Sequence, residues 1–178
     1  MALTTHVALL RAVNVGGRKA VMAELRAWLA ELGFEAPRSL LQSGNLVFRS
    51  EATGAALEAV LEAEAARRLG YAADVLVRTA DEWRAIVAAN PHAAMARDDP
   101  GHLAVMPLKL PPGAAAVAAL QAQIQGPEVV KAVGRELFIT YPDGMGDSRL
   151  TLQVIERRLG VRGTARNWNT VTKLAAML

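Results

Sequence analysis

The sequence predicts an α+β fold: a ferredoxin-like β-α-β-β-α-β unit, then a degenerate second β-α-β-β-α unit and a C-terminal helix. Short apolar runs rich in valine and leucine are typical of strands, and they alternate with segments whose apolar residues recur every three or four positions, as in helices. In the first half these elements follow the order of a split β-α-β unit, in which two helices cover one face of an antiparallel sheet.

The first strand is predicted over residues 5–13, and the two glycines of NVGGRKA end it. In MAELRAWLAELG, apolar residues spaced i, i+3, i+4 and i+7 from Leu25 predict the first helix, which ends at Gly33. The segments RSLLQ and LVFRS predict a hairpin. Its turn contains Gly44, which supplies the positive φ that a tight turn requires.

A second helix is predicted from Ala55 to Leu69, with Gly70 as its end, and ADVLVRT is predicted as the fourth strand. Thr79 and Glu82 have the spacing of a capping box. A connecting helix is therefore expected to begin there and to stop before Pro91, since proline cannot continue a helix.

The second half repeats this order with one strand fewer. HLAVMPL is expected as a strand, PPGAAAVAALQAQI as a helix, EVVKAVGRELFITY as a hairpin that turns at Gly134 and Arg135, and SRLTLQVIERRLG as a helix. No low-complexity linker separates the halves. We therefore predict two sub-domains, residues 1–90 and 91–178, packed as one body.

The composition indicates the compartment. The 178 residues contain no cysteine, so folding needs no oxidising environment, and no apolar stretch approaches the roughly 18 residues that span a membrane. The beginning of the sequence lacks the pattern of a signal peptide. These features predict a cytoplasmic protein that does not enter a membrane.

The charge balance and the aromatic content argue against nucleic-acid binding. The 20 basic residues barely exceed the 17 acidic ones, and they are spread along the chain. Phe48 is the only aromatic residue in the predicted first and third strands, so the sheet lacks the platform on which RNA-binding sheets stack bases.

Four blocks carry a family resemblance by their combination and order: LLRAVNVGG, QSGN, PDGMGDSRL and RNWNTVTKL. With them the chain resembles a bacterial domain-of-unknown-function family, DUF1697, over nearly its whole length. The resemblance implies an α+β fold of ferredoxin-like character and a cytoplasmic bacterial protein, but no particular chemistry. The chain departs from the pattern at Ala12 and Val13, where the family often has Gly-Ile, at Arg149, where lysine is common, and at Ala165, where threonine is frequent. The lost hydroxyl at Ala165 weakens any oxygen-lined pocket before Arg166.

The block RAVNVGGRKA places Asn14, Gly16, Gly17 and Lys19 between a strand and the start of a helix. Glycine N–H groups, the positive end of a helix dipole and nearby cations suit an anion such as phosphate. The block matches neither of the common glycine-rich nucleotide motifs. A tight turn with a solvated basic tip explains it about as well.

The block DGMGDSRL precedes a predicted helix. Asp147 or Ser148 is favoured as its N-cap, a role that contributes about 1 kcal/mol. Capping leaves Arg149 unexplained, because a cation in the first turn opposes the helix dipole unless an anion lies nearby.

In RNWNTVTKL, an apolar stripe that reaches the last residue predicts a docked helix. Asn167 or Asn169 is expected to cap this helix, and Trp168 is expected to anchor it. Arg166, the spare asparagine and Lys173 then have no structural role, and they can converge on an anion near the helix start.

Catalysis has weaker support. The three histidines lack the spacing of metal ligands, so no metal site is predicted, and no nucleophile motif occurs. Ser43 lies in the QSGN turn without an identified base. The cofactor is unknown, and an enzymatic role is left open.

The leading hypothesis is a protein that binds a small ligand bearing phosphate or carboxylate. The alternative is an interaction or self-assembly module that uses a sheet edge or a helix face and forms a homo-oligomer. The predicted ligand-binding residues are Arg11, Asn14, Gly16, Gly17, Lys19, Ser43, Gly44, Asn45, Ser148, Arg149, Arg166, Asn167, Asn169 and Lys173.

Overall fold

The computed structural model describes residues 2–178 and shows an α+β fold with two four-stranded antiparallel sheets. The chain divides into two compact units. The first comprises the residues up to Ala85 together with Leu174–Leu178, and the second comprises Ile86–Lys173. The division falls inside a helix and not after residue 90, because the connecting helix follows the fourth strand without a loop.

The first unit contains the predicted split β-α-β arrangement. Its elements are β1 (Thr4–Leu10), α1 (Met22–Glu31), β2 (Glu35–Leu40), β3 (Asn45–Ser50), α2 (Gly54–Leu69), β4 (Val75–Thr79) and the greater part of α3 (Ala80–Ala88). The strands lie in the order β2-β3-β1-β4, and all neighbours are antiparallel. The element order predicted for the first half is thus confirmed.

One face of this sheet packs against α1 and α2. Ala8 and Leu46 of the strands, Leu25 and Leu29 of α1 and Leu57 of α2 belong to one buried apolar cluster. Burial of a leucine side chain contributes about 1.5–3 kcal/mol, so the helical stripe read from the sequence is what attaches these helices to the sheet.

The capping box at the start of α3 forms as predicted. The Thr79 N–H group donates to the Glu82 carboxylate at 2.8 Å, and the Glu82 N–H group donates to the Thr79 hydroxyl at 3.2 Å. The two bonds satisfy N–H groups that the first turn of a helix leaves without partners.

The second unit repeats the element order of the first. It contains α4 (Ala93–Asp98), a 3₁₀ turn (Pro100–His102), β5 (Leu103–Pro107), α5 (Ala114–Gln123), β6 (Val129–Val133), β7 (Glu136–Thr140), α6 (Leu152–Leu159), β8 (Arg166–Asn167) and most of α7 (Trp168–Ala175). The strands lie in the order β6-β7-β5-β8, and α5 and α6 pack on one face of this sheet.

Strand β8 corrects the prediction that the second unit is one strand short. It pairs with Ala104 and Val105 of β5, at the sheet position that β4 has in the first unit. The alternation that marks a strand cannot be recognised over two residues, so the sequence pattern hides it. An isolated bridge between Leu108 and Gly163 extends the pairing.

Between residues 2 and 178, no helix has both the length and the apolar character that a membrane span requires.

Candidate functional site

The predicted ligand-binding residues fall into three groups. One group lies at the end of β1 in the first unit. The other two lie in the second unit, before α6 and around β8. Each group is built by a different local structure.

Asn14 closes the glycine loop that follows β1. Its side-chain amide donates to the Ala20 carbonyl at 2.9 Å and also to the Gln42 carbonyl, and its oxygen accepts from the Ala20 N–H group at 2.8 Å. One side chain therefore joins the loop to itself and to the QSGN turn. Because the amide donates and accepts within the fold, Asn14 acts as a structural clamp.

The QSGN turn packs against the end of β1. The Leu10 N–H group donates to the Gly44 carbonyl at 2.9 Å, and a Cβ atom at Gly44 would lie 2.7 Å from the Val13 side chain. The buried Asn45 amide donates to the Leu40 carbonyl at 2.8 Å and to the Ser43 hydroxyl at 2.9 Å. These contacts give the three predicted residues of this turn a structural role.

The cations of this group differ in their surroundings. The Arg11 guanidinium lies 3.7 Å from the Asp74 carboxylate, and the Arg11 N–H group donates to the Asp74 carbonyl at 2.9 Å. Lys19 is exposed beside Gly16 and Gly17, which have φ values of 57° and 82°. Arg11 is thus drawn to a carboxylate of its own unit, while the tip of the glycine loop faces solvent.

Arg166 is an interior residue and is only 8% exposed. Its guanidinium donates to the Thr164 hydroxyl at 2.8 Å and to the Ala165 carbonyl at 2.9 Å. Burial lowers its pKa to about 10, because removal from water penalises the charged form. The hydroxyl that the sequence lacks at Ala165 is supplied by the neighbouring Thr164.

Asn167, and not Asn169, caps helix α7. The Asn167 oxygen accepts from the Thr170 N–H group at 3.0 Å and from the Thr170 hydroxyl at 3.1 Å. The Asn169 and Lys173 side chains are exposed and have no hydrogen-bond or ion-pair partner among residues 2–178. The expected group of Arg166, Asn169 and Lys173 is therefore divided between the interior and the surface.

The cap of α6 differs from the prediction. Thr151 is the N-cap, and its hydroxyl accepts from the Val154 N–H group at 3.2 Å. The helix begins three or more residues later than the capping roles of Asp147 or Ser148 require, because the extended Leu150–Thr151 segment separates them from it. Ser148 and Arg149 thus lie in a loop before the helix and are available for another role.

This loop forms one wall of a cleft of about 390 Å³ in the second unit. The opposite wall is the C-terminal end of α5 with the segment that leads into β6, and the buried Leu120 and Leu150 also line the cleft. Its lining includes Ser148 and Arg149, and the other charged residues that line it are Glu128, Asp143, Asp147 and Arg158. None of the predicted residues around β8 lines this cleft.

Hydrogen bonds tie the two walls together. The Ser148 hydroxyl donates to the Glu128 carboxylate and accepts from the Leu150 N–H group at 3.0 Å. The Gln121 side chain of α5 accepts from the Val130 N–H group at 2.7 Å, which fixes the Glu128 segment to the helix. The cleft is therefore a preformed cavity with polar groups at set positions, as ligand sites usually are.

Sequence reasoning missed Arg158 and Glu128. Arg158 follows Val154 by one helical turn, so the two lie on one face of α6, whereas Arg157 does not line the cleft. This four-residue spacing could have indicated that Arg158 and Val154 line the same cleft. Glu128 offered none, because it is placed by the β6 pairing and by Ser148, which is 20 residues away.

A second cleft, of about 370 Å³, lies in the first unit between α1 and the end of α2. It contains none of the predicted residues. Among residues 2–178, no cluster of three or more histidine or carboxylate side chains is arranged to hold a metal ion.

The fold and the cleft define an α+β protein built from two four-stranded sheet units. A family model described as "Protein of unknown function (DUF1697)" matches residues 3–138. The chain belongs to this family. The match ends in β7, so the loop before α6 lies outside it.

A solved structure extends the similarity to the rest of the chain. A conserved bacterial protein from Streptococcus pneumoniae is 26% identical, with a TM-score of 0.79 over 99% of this chain and 99% of that one. No protein with curated annotation matches the chain.

Proposed function

We propose that the protein binds a small anionic ligand, bearing carboxylate or phosphate, in the cleft between α5 and the loop before α6. One observation carries the proposal: Arg149, Arg158 and Ser148 line the same concave, partly apolar cavity. The cavity volume of about 390 Å³ lies within the range of about 300–1,000 Å³ that is usual for small-molecule sites.

The two arginines supply the charge for this ligand. Arg149 and Arg158 are exposed at the cleft wall, and neither has an ion-pair partner among residues 2–178. A guanidinium presents parallel N–H groups that match a carboxylate or a phosphate. Since the dipole of α6 does not explain a cation just before its N-terminus, a bound anion is a physical reason for Arg149.

Two finer expectations belong to the proposal. We place the protein in the bacterial cytoplasm, in accord with its cysteine-free sequence and its bacterial structural relative. An enzymatic step is left open, since the cleft offers a serine and carboxylates but its residues fit no established nucleophile and base pair.

A neutralising substitution at either cleft arginine tests the proposal. We expect inorganic phosphate or hexanoate to bind the wild-type chain, and Arg149→Gln or Arg158→Gln to weaken binding about tenfold or more, since a hydrogen bond to a charged group contributes about 1.5–3 kcal/mol. Isothermal titration calorimetry measures the affinity.

Arg157→Gln is the matched control, because Arg157 precedes Arg158 on the same helix, is exposed and does not line the cleft. The proposal fails if no carboxylate- or phosphate-bearing probe binds. It also fails if the control weakens binding as much as the two cleft variants do.

A second candidate, an interaction module, is favoured by one observation. Three apolar side chains are 52–55% exposed: Val15, Val21 and Leu41. Val15 follows Asn14, and Val21 and Leu41 are next in sequence to Ala20 and Gln42, whose carbonyls accept from the Asn14 amide. The three therefore cluster at the loop end of the first unit. An exposed apolar cluster of this kind is typical of contact surfaces.

A further inference from the structure

The proposed cleft is not uniformly basic. Beside Arg149 and Arg158, its lining contains the carboxylates of Glu128, Asp143 and Asp147. Two positive and three negative side chains therefore border one cavity. The two arginines account for a carboxylate or phosphate group on the ligand, but they leave the three carboxylates without a role.

Glu128 is held at the wall by the fold. Its carboxylate accepts from the Ser148 hydroxyl, and its carbonyl accepts from the Gln121 amide at 3.4 Å. Burial, together with the negative charge of Glu128, raises the pKa of Tyr141, whose hydroxyl donates to the Leu150 carbonyl at 3.0 Å. The Glu128 carboxylate is thus held at a set position in the lining of the cleft.

The mixed charges select among anions. Like charges repel at short range, so three carboxylates oppose a dianion such as phosphate. They oppose a monoanion less, and they attract a cationic group on the same ligand. A ligand with one charge of each sign gains from both sets of side chains.

Apolar side chains complete the lining. Among the lining residues, Leu120 and Leu150 are buried, and Ile124 and Val154 are partly buried. Such a surface suits a hydrocarbon body between or beside the charged groups of a ligand.

We infer that the cleft binds a small zwitterion, an amino-carboxylate with an aliphatic body, whose carboxylate pairs with Arg149 and Arg158 and whose ammonium group pairs with Glu128, Asp143 and Asp147. The inference rests on the proposed function, since it names the ligand class of the same site. It gives the acidic residues of the cleft a role that anion binding alone leaves unexplained.

Four probes of similar length separate the charges. Hexanoate carries the carboxylate alone, hexylammonium carries the ammonium alone, norleucine carries both at one end, and 6-aminohexanoate carries one at each end. We expect at least one zwitterion to bind about tenfold more tightly than hexanoate and hexylammonium, as measured by titration calorimetry at neutral pH.

Neutral variants test which residues give the preference. The double variant Asp143→Asn with Asp147→Asn, and separately Glu128→Gln, should reduce the preference for the zwitterion while hexanoate binding stays equal or improves. Asp98→Asn is the control, since Asp98 lies on α4, pairs with Arg97 and does not line the cleft.

The outcomes distinguish the two proposals. If hexanoate binds as tightly as both zwitterions, the inference is overturned and the anion site stands. If no probe binds and phosphate does not bind, or if only hexylammonium binds, the anion site falls and the inference falls with it. A zwitterion preference that survives in every acidic variant also overturns the assignment of the ammonium group.

Discussion

At the scale of single residues, the loop end of the first unit shows how much structure one side chain can fix. The Asn14 amide joins the Ala20 and Gln42 segments, and Asn14 itself has a φ of 56°. Ala12 and Leu41 have φ values of 58°, which cost a residue with a Cβ atom about 1–2 kcal/mol. Glycine adopts this conformation without that cost.

His6 is a buried titratable residue of the first unit. It is 0% exposed on β1, its ring lies 5.9 Å from that of Phe48, and neither ring nitrogen has a hydrogen-bond partner within residues 2–178. Burial lowers its pKa below the ordinary 6.5, because removal from water penalises the charged form of the ring.

This lowered pKa predicts acid sensitivity. Below about pH 6.5 the unfolded chain protonates His6 while the folded chain does not, so the free energy of unfolding falls as the pH is lowered from 7 to 5. We expect His6→Phe, which keeps a ring beside Phe48, to lose part of this decline. Urea unfolding at the two pH values measures it.

Part of the decline should remain in His6→Phe, because burial and the nearby Lys131 also lower the pKa of His92. His102→Gln serves as the control, since the His102 side chain is 42% exposed and pairs with Asp99. An identical decline in His6→Phe and in the wild type would contradict the assignment.

At the scale of elements, the glycines at helix ends and in turns differ in whether they supply only a left-handed conformation or also a close contact. Gly70 and Gly160 end α2 and α6 in the left-handed conformation, as the sequence predicted. Gly44 combines that conformation with a tight contact, because its missing side chain leaves room for Leu10 and Val13.

A pair of substitutions separates conformation from contact. Gly44 and Gly17 have φ values of 80° and 82°, but only at Gly44 would a Cβ atom meet other side chains, at 2.7–2.9 Å. We expect Gly17→Ala to cost about 1–2 kcal/mol from backbone strain alone, and Gly44→Ala to cost about 1–3 kcal/mol more from overpacking. Denaturant unfolding measures both, and equal losses would contradict the packing role of Gly44.

At the scale of the whole molecule, the exposed sheet edges are protected from pairing. In β2 a bulge lies between Glu35 and Arg38 and includes Pro37. The Glu62 and Glu58 carboxylates of α2 accept from the Val75 and Val77 N–H groups of β4 at 2.9 and 2.8 Å. Proteins block strand edges in such ways against unwanted association. Self-association through these edges is therefore opposed by the fold.

The edge of β6 gives a test of this protection. Gln121 accepts from the Val130 N–H group and donates to the Glu128 carbonyl. Its side chain therefore satisfies backbone groups at this edge that a neighbouring strand would otherwise bond. We expect Gln121→Ala to increase concentration-dependent association, as measured by sedimentation velocity. Gln123→Ala, on the same helix, is the control, and an unchanged distribution for Gln121→Ala would show that the edge is protected by other means.

The parts of the fold that could be predicted are those with a local cause. The stripe from Leu25, the capping box at Thr79 and the glycine ends of α2 and α6 all follow from periodicity or from the conformations that a residue type favours. Strand β8 could not be predicted, because its two residues carry no pattern. The close approach of Gly163 to β5 could not be predicted either, because it appears only in the fold, where a Cβ atom at Gly163 would lie 2.5 Å from the Pro107 carbonyl oxygen.

The candidate site divides in the same way. Arg149 could be proposed from the sequence, because the capping roles favoured for Asp147 or Ser148 left this cation unexplained. Ser148 was predicted as a ligand-binding residue beside it. Thr151, and not its neighbours, proved to be the cap. Arg166 shows the opposite case. The sequence predicted that its guanidinium binds a ligand, but the side chain is buried and donates to the Thr164 hydroxyl.

The sequence by itself determined the α+β class, the order of elements in the first unit and the membership of the family, because helical and strand periodicity and block order are local properties of the chain. Only the tertiary structure decided which polar residues are consumed by the fold and which border a cavity. The bonds that decide this, from Asn14 to Gln42 and from Ser148 to Glu128, join residues 28 and 20 positions apart. No spacing rule along the chain reports such contacts.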